Sequence, residues 1–103
     1  VIITDAMNMG AVANHYSSGE AAVLAVNAGV DMLLMPADPQ AAYSAVLNAV
    51  KSGRISESRI DASAARILAL KKKYGLFTKK GFGDESLLGC KEHREIVARI
   101  KAD

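Results

Sequence analysis

The chain has no tryptophan, one cysteine, two prolines and only five phenylalanine or tyrosine residues among its 103. With Cys90 standing alone, an internal disulfide and a thiolate metal cluster are both excluded. The two histidines, His15 and His93, are far apart and show no ligand spacing. No metal and no cofactor are therefore expected. No apolar run approaches the roughly 20 residues of a membrane-spanning helix. A formal net charge of +2 is too small to call for a nucleic-acid partner. The scarcity of aromatics leaves Ala, Val, Leu and Ile to carry the packing in a chain that is 50% hydrophobic. Such a composition suits helices laid on a parallel sheet better than an all-β sandwich.

What is present starts at the first residue. Val1, Ile2, Ile3 and Thr4 run straight into Asp5. A continuous β-branched run of this kind predicts a strand covered on both faces. With nothing before it to pair with, it reads as a piece of a longer chain or as a processed product. Residues 6–16 are irregular, with room for one helical turn. Ser17 and Glu20 have capping-box spacing and open a helix, "EAAVLAVNA", that is apolar on nearly every side and stops at Gly29. "VDMLLMP", residues 30–36, predicts a second strand, ended by Pro36. Asp31 opens it as a structural polar residue, and Met32 and Met35 are expected to fill core space.

Asp38 then caps a helix with Pro39 in its first turn. Its expected buried face is Tyr43, Val46, Leu47 and Val50, and Gly53 closes it. A third helix begins at Ser56 or Asp61 and runs to Tyr74, with Ile60, Ala64, Ile67, Leu70 and Tyr74 on roughly one side. Lys71–Lys73 lie at its C-terminal end, where cations favour the helix dipole, and Gly75 terminates it. "LFTKKGFGDESLLG" reads as a linker in which Lys79 and Lys80 are solvated. Residues 90–103 form a last amphipathic helix striped by His93, Ile96, Val97 and Ile100, with Cys90 a buried or half-buried small hydrophobe. The two strands are one strand-helix-strand unit apart. A right-handed crossover makes them parallel neighbours, with Asp5 and Pro36 at the same end.

"VIITDAMNMGAV", "EAAVLAVNAGVDMLLMPAD" and "AVKSGRISESRIDASAARILALKKKYGLF" together resemble the end of the catalytic barrel of glycoside hydrolase family 3. The resemblance runs from Val1 to Phe77 and leans towards the bacterial β-N-acetylglucosaminidases, or β-hexosaminidases. It implies an α/β fold: a partial TIM-like (β/α)8 barrel made of its last two β/α units, residues 1–77, plus C-terminal helices. Residues 78–103 would be a linker and helix leading towards a second domain. That two-domain form is often extracytoplasmic in Gram-positive bacteria.

The resemblance also implies a site. The strand-end aspartate of a "TDAMNM"-type motif is the family's nucleophile, which carries over to Asp5. Barrel enzymes build their sites at the C-terminal ends of the strands, so a carboxylate there would be aimed at substrate. Met7 and His15 are the neighbouring candidates for substrate contact, His15 being equally readable as a solvated loop residue. The implied reaction removes terminal β-linked N-acetylglucosamine through a covalent glycosyl-enzyme. The implied partner is a carbohydrate. The family's acid/base histidine-aspartate pair and its Lys-His-Phe-Pro-Gly-type sugar-gripping motif do not occur in this chain. An isolated chain is therefore expected to be inactive and to self-associate.

Other readings stay open. The chain could be an inert fragment, or part of a β-glucosidase, although those typically show a strand-end Ser-Asp-Trp. A haloacid-dehalogenase-type phosphatase needs a second aspartate where Met7 stands. A phospho-receiver strand needs a carboxylate where Leu34 and Met35 stand.

Overall fold

A computed structural model describes residues 1–78 and 83–102 of the chain. The expectation for Lys79 and Lys80 lies outside the described residues. Helices account for nearly all the regular structure: α1 Gly10–Ala13, α2 Ser18–Asn27, α3 Pro39–Lys51, α4 Glu57–Lys73 and α5 Lys91–Ala102, with a 3₁₀ turn at Glu85–Leu87.

The helix boundaries follow from local chemistry. Ser17, Asp38 and Ser56 each cap a helix, their side-chain oxygens accepting the N–H of Glu20 (3.2 Å), Ala41 (2.9 Å) and Arg59 (3.2 Å). At the other ends, α2 and α4 close through the same pair of bonds. Gly29 N–H and Val30 N–H return to Val26 and Ala25, and Gly75 N–H and Leu76 N–H return to Lys72 and Lys71. Both glycines have positive φ, at 105° and 69°. A side chain at either would be strained, which is why the helices stop there.

The two expected strands are not formed at strand length. The segments 1–4 and 31–35 run parallel and meet in one isolated bridge, Ile3 opposite Met32. Thr4 N–H donates to Met32 O and Met32 N–H to Ile2 O, both at 3.1 Å. Two further amides that would continue a ladder are taken by side chains instead: Ile2 N–H by Asp31 Oδ2 at 2.9 Å, Leu34 N–H by Thr4 Oγ1 at 2.8 Å. Among the described residues no third segment pairs with either outer edge. Two extended segments are too few to sustain a sheet. The described residues are thus a helical assembly on a bridged pair of segments, and they form no barrel wall. The parallel direction expected from the spacing holds, and the Asp5 and Pro36 ends fall together because Thr4 and Met7 both bond to Leu34.

The core is thin. Val23 and Val26 of α2, Ala49 of α3 and Ile55 pack together, backed by Ala45, Val46, Val50 and Ile60. The buried side of α3 meets expectation at Val46 and Val50, which pack against the core, and departs from it elsewhere. Ala42 and Ala49 are buried, while Tyr43 is 65% exposed and Leu47 39%. The cause lies on the facing helix. A Cβ at Gly19 would stand 2.8 Å from Ala45 Cβ, so α2 and α3 approach through small residues and the larger ones are turned aside. Met32 and Met35, expected in the core, are also exposed, as are Val1, Ile2 and Ile3, because among the described residues the bridged pair is only partly covered and has no third segment beside it. The α5 stripe of Ile96, Val97 and Ile100 is likewise exposed, and Cys90 is half-buried as expected. Among the described residues no helix is long and apolar enough to cross a membrane.

Candidate functional site

Asp5 ends the first extended segment and is exposed. Its Oδ1 accepts the N–H of Ala6 at 2.7 Å, a local turn bond that sets the carboxylate's direction. Beside it opens a largely apolar cleft of about 440 Å³, walled by Thr4, Asp5, Met7, Met9, Tyr16 and Leu24 among others. Met7 and Asp5 therefore share a cleft. Met7 is itself buried, 7% exposed, with its N–H donated to Leu34 O at 2.9 Å. It serves as floor rather than rim. His15 is exposed just after α1 and is not part of that wall, whereas its neighbour Tyr16 is.

The chain turns sharply at the same end of the second segment. Met35 has φ 46°, the one non-glycine residue in the left-handed region among the described residues, and Pro36 follows. A left-handed methionine ahead of a proline is held there by its surroundings, since neither neighbour favours it. Asp38 N–H then donates to Ser18 Oγ at 2.9 Å, tying the starts of α2 and α3 together behind the cleft.

The other end of the segment pair carries a second carboxylate in a different setting. The Asp31 side chain is 1% exposed. Arg66 of α4 holds it with two prongs, Nη2 to Oδ1 at 2.7 Å and Nε to Oδ2 at 3.2 Å. Ser63 donates to Oδ1, Arg59 Nη1 lies 3.6 Å from Oδ1, and Ile2 N–H donates to Oδ2. Arg59 also donates to Ser63 Oγ and, at 2.8 Å, to Val30 O. The Arg66 hydrogen bonds, then Ser63 and the Ile2 amide, hold the Asp31 carboxyl well below the usual carboxylate range. In return, the bond to Asp31 pushes the Arg66 guanidinium up.

This cluster is only half legible in the sequence. Asp31 is anticipated as structural, but its partners on α4 are not. The apolar stripe expected there is only partly buried at Ile60 and Ile67, and the one buried residue of α4 is Ser63. The available signal is Arg59, Ser63 and Arg66 at i, i+4 and i+7, which share a helix face. Among the described residues, no three His, Cys, Asp or Glu side chains converge as a metal site.

Comparison with known proteins places this geometry. Residues 1–70 match the family model for the glycosyl hydrolase family 3 N terminal domain. A β-hexosaminidase A from Pseudoalteromonas piscicida is 30% identical over 97% of this chain and 18% of its own length. A lysosomal β-glucosidase from Dictyostelium discoideum is 40% identical over 62% of this chain and 8% of its own. A solved glycoside hydrolase family 3 β-N-acetylglucosaminidase from a Paenibacillus species superposes with a TM-score of 0.78 at 42% identity, over 97% of this chain and 20% of that one. The chain thus spans at most about a fifth of these relatives. On the family match and the structural likeness together, the chain belongs to glycoside hydrolase family 3.

Proposed function

We propose that this chain is the C-terminal part of the catalytic barrel of a retaining β-N-acetylglucosaminidase, with Asp5 as its nucleophile. One observation carries the reading: an exposed carboxylate at the end of an extended segment, on the wall of an apolar cleft, in a chain of this family. Residues 1–77 supply the last two β/α units, whose apolar, uncovered segments complete their pairing against the rest of the barrel. Residues 78–103 lead towards a second domain. The substrate is a saccharide ending in β-linked N-acetylglucosamine, of the kind found in cell-wall fragments or chitin.

In the first step an Asp5 oxygen bonds to the anomeric carbon as the glycosidic C–O bond breaks, and the leaving oxygen takes a proton from a second group. In the second, water attacks the anomeric carbon, gives its proton to that same group and releases Asp5. The second group lies on a part of the enzyme outside this chain. Met7 forms the apolar floor of the cleft, and His15 lies outside the residues that wall it. Without the acid, leaving-group protonation worth roughly 10²–10⁴-fold is lost. The isolated chain is accordingly inactive, and its uncovered apolar face drives self-association.

A β-glucosidase is the second reading, favoured by the 40% identity to the Dictyostelium enzyme. Both readings are tested with the full-length enzyme, aryl N-acetylglucosaminide and aryl glucoside compared side by side. An activated fluorosugar should label Asp5, and Asp5→Asn should lose essentially all turnover. Labelling of another residue, or near-normal activity in Asp5→Asn, overturns the assignment. Faster turnover of the glucoside selects the second reading.

A further inference from the structure

Leu34 is gripped twice, and by the two residues that bracket Asp5 and Ala6. Its N–H donates to Thr4 Oγ1 at 2.8 Å, and its carbonyl accepts Met7 N–H at 2.9 Å. Asp5 and Ala6 are thus a two-residue span between two anchors on one neighbouring residue. Within the span, Ala6 N–H fixes the carboxylate through Oδ1 at 2.7 Å. The anchors are shielded, Thr4 half-buried and Met7 buried, while Asp5 between them is open.

We infer that Thr4 is a positioning residue for Asp5, its hydroxyl locking the end of the first segment to Leu34 and so holding the carboxylate at attack height. This rests on the reading of Asp5 as nucleophile. Two features make the lock stiff. The bond uses a side chain where a ladder would use a carbonyl, so it fixes Thr4 χ1 as well as the register. Beyond Leu34 the chain turns at once through the left-handed Met35 into Pro36, so Leu34 cannot slide along its segment without disturbing a constrained turn. A hydroxyl is required. Valine has the same shape but no acceptor, and would leave the Leu34 amide facing a methyl group. Serine keeps the acceptor.

The test uses the full-length enzyme and an activated aryl N-acetylglucosaminide, with the rate of glycosyl-enzyme formation followed before steady state. Thr4→Val should slow that step by about 10- to 100-fold, as expected when a reacting group is misplaced by a fraction of an ångström to an ångström. KM should change less than about threefold, since ground-state binding is untouched. Thr4→Ser should restore the rate to within about threefold of the parent, and Thr4→Cys, a weaker acceptor, should fall between Ser and Val. Ser63→Ala, at the far end of the segment pair, should lower the melting temperature without slowing the step. The inference is overturned if Thr4→Val reacts at the parental rate, if Ser and Cys are as slow as Val, or if the loss lies in KM alone. Should Thr4→Val not fold, the Ser and Cys variants decide the matter by themselves: Ser faster than Cys supports the lock, and equal rates overturn it. Fluorosugar labelling separates the two claims. Label on Asp5 with a normal Thr4→Val rate removes only the positioning role, whereas label elsewhere removes the nucleophile.

Discussion

Asp5 and Asp31 are carboxylates at opposite ends of the same pair of bridged segments, and they have been given opposite surroundings. Asp31 is closed off, 1% exposed, with two arginines, a serine and a backbone amide filling its oxygens. Asp5 is open, with one local N–H on Oδ1 and a place on the wall of a cleft. A carboxylate closed in by protein on every side has no oxygen that a substrate can reach, and one that is open with a single local bond adds little to stability. On the barrel reading proposed above, Asp31 belongs to the stabilising end of the segments and Asp5 to the end where sites are built.

The sharpest break of that comparison exchanges an oxygen for an amide at each end of the full-length enzyme. Asp5→Asn should remove turnover while leaving thermal stability within about 0.5 kcal/mol, as for a surface site with no shared partners. Asp31→Asn should do the reverse, lowering the melting temperature clearly while leaving the chemistry of folded enzyme intact. It should also change the pH dependence. The Asp31 carboxyl is held below its ordinary value in the folded state, so the unfolded chain takes up the proton first. Its stabilisation is present in full above about pH 4, the unfolded carboxylate value, and is lost as pH falls through the folded one. Thermal melts of parent and Asp31→Asn should therefore differ most at neutral pH and converge in acid. A constant gap across that range would show that the network acts by packing rather than by charge.

A second measure asks whether the helices behind the open end are as firmly set as α4 is at the closed end. A methyl group at Gly19 would lie 2.8 Å from Ala45 Cβ and 3.4 Å from the Ala41 carbonyl. Gly19→Ala forces α2 and α3 apart against the gain in helix propensity, and should cost about 1–3 kcal/mol by denaturant unfolding. A neutral or stabilising result would mean the open end is loosely packed. The smallest effect is expected at the cap of α3. Asp38→Ala removes the bond to Ala41 N–H and should cost about 1 kcal/mol, while Asp38→Ser should recover most of it.

The helices were legible because what bounds them is local. Ser17, Asp38 and Ser56 satisfy amides three residues on, and Gly29 and Gly75 end helices through bonds that close within five residues. Each of those choices is complete in a short window of sequence. The proposal that Asp5 is the nucleophile rests on resemblance, because nothing in its own neighbourhood distinguishes a nucleophile from a turn residue. What only the tertiary structure decided involves partners distant in the chain. Ser63 and Arg66 reach Asp31 across 32 and 35 residues, and the Thr4 hydroxyl reaches the Leu34 amide across 30. The close approach at Gly19 favours Ala42, Ala45 and Ala49 on the buried side of α3 and leaves Tyr43 and Leu47 of the expected stripe exposed, while Val46 and Val50 stay packed. Hydrophobic periodicity records that a face is apolar, but which of two apolar faces meets the neighbour depends on how closely the backbones approach. That distance is set by residues on the other helix, so a single helix cannot encode it.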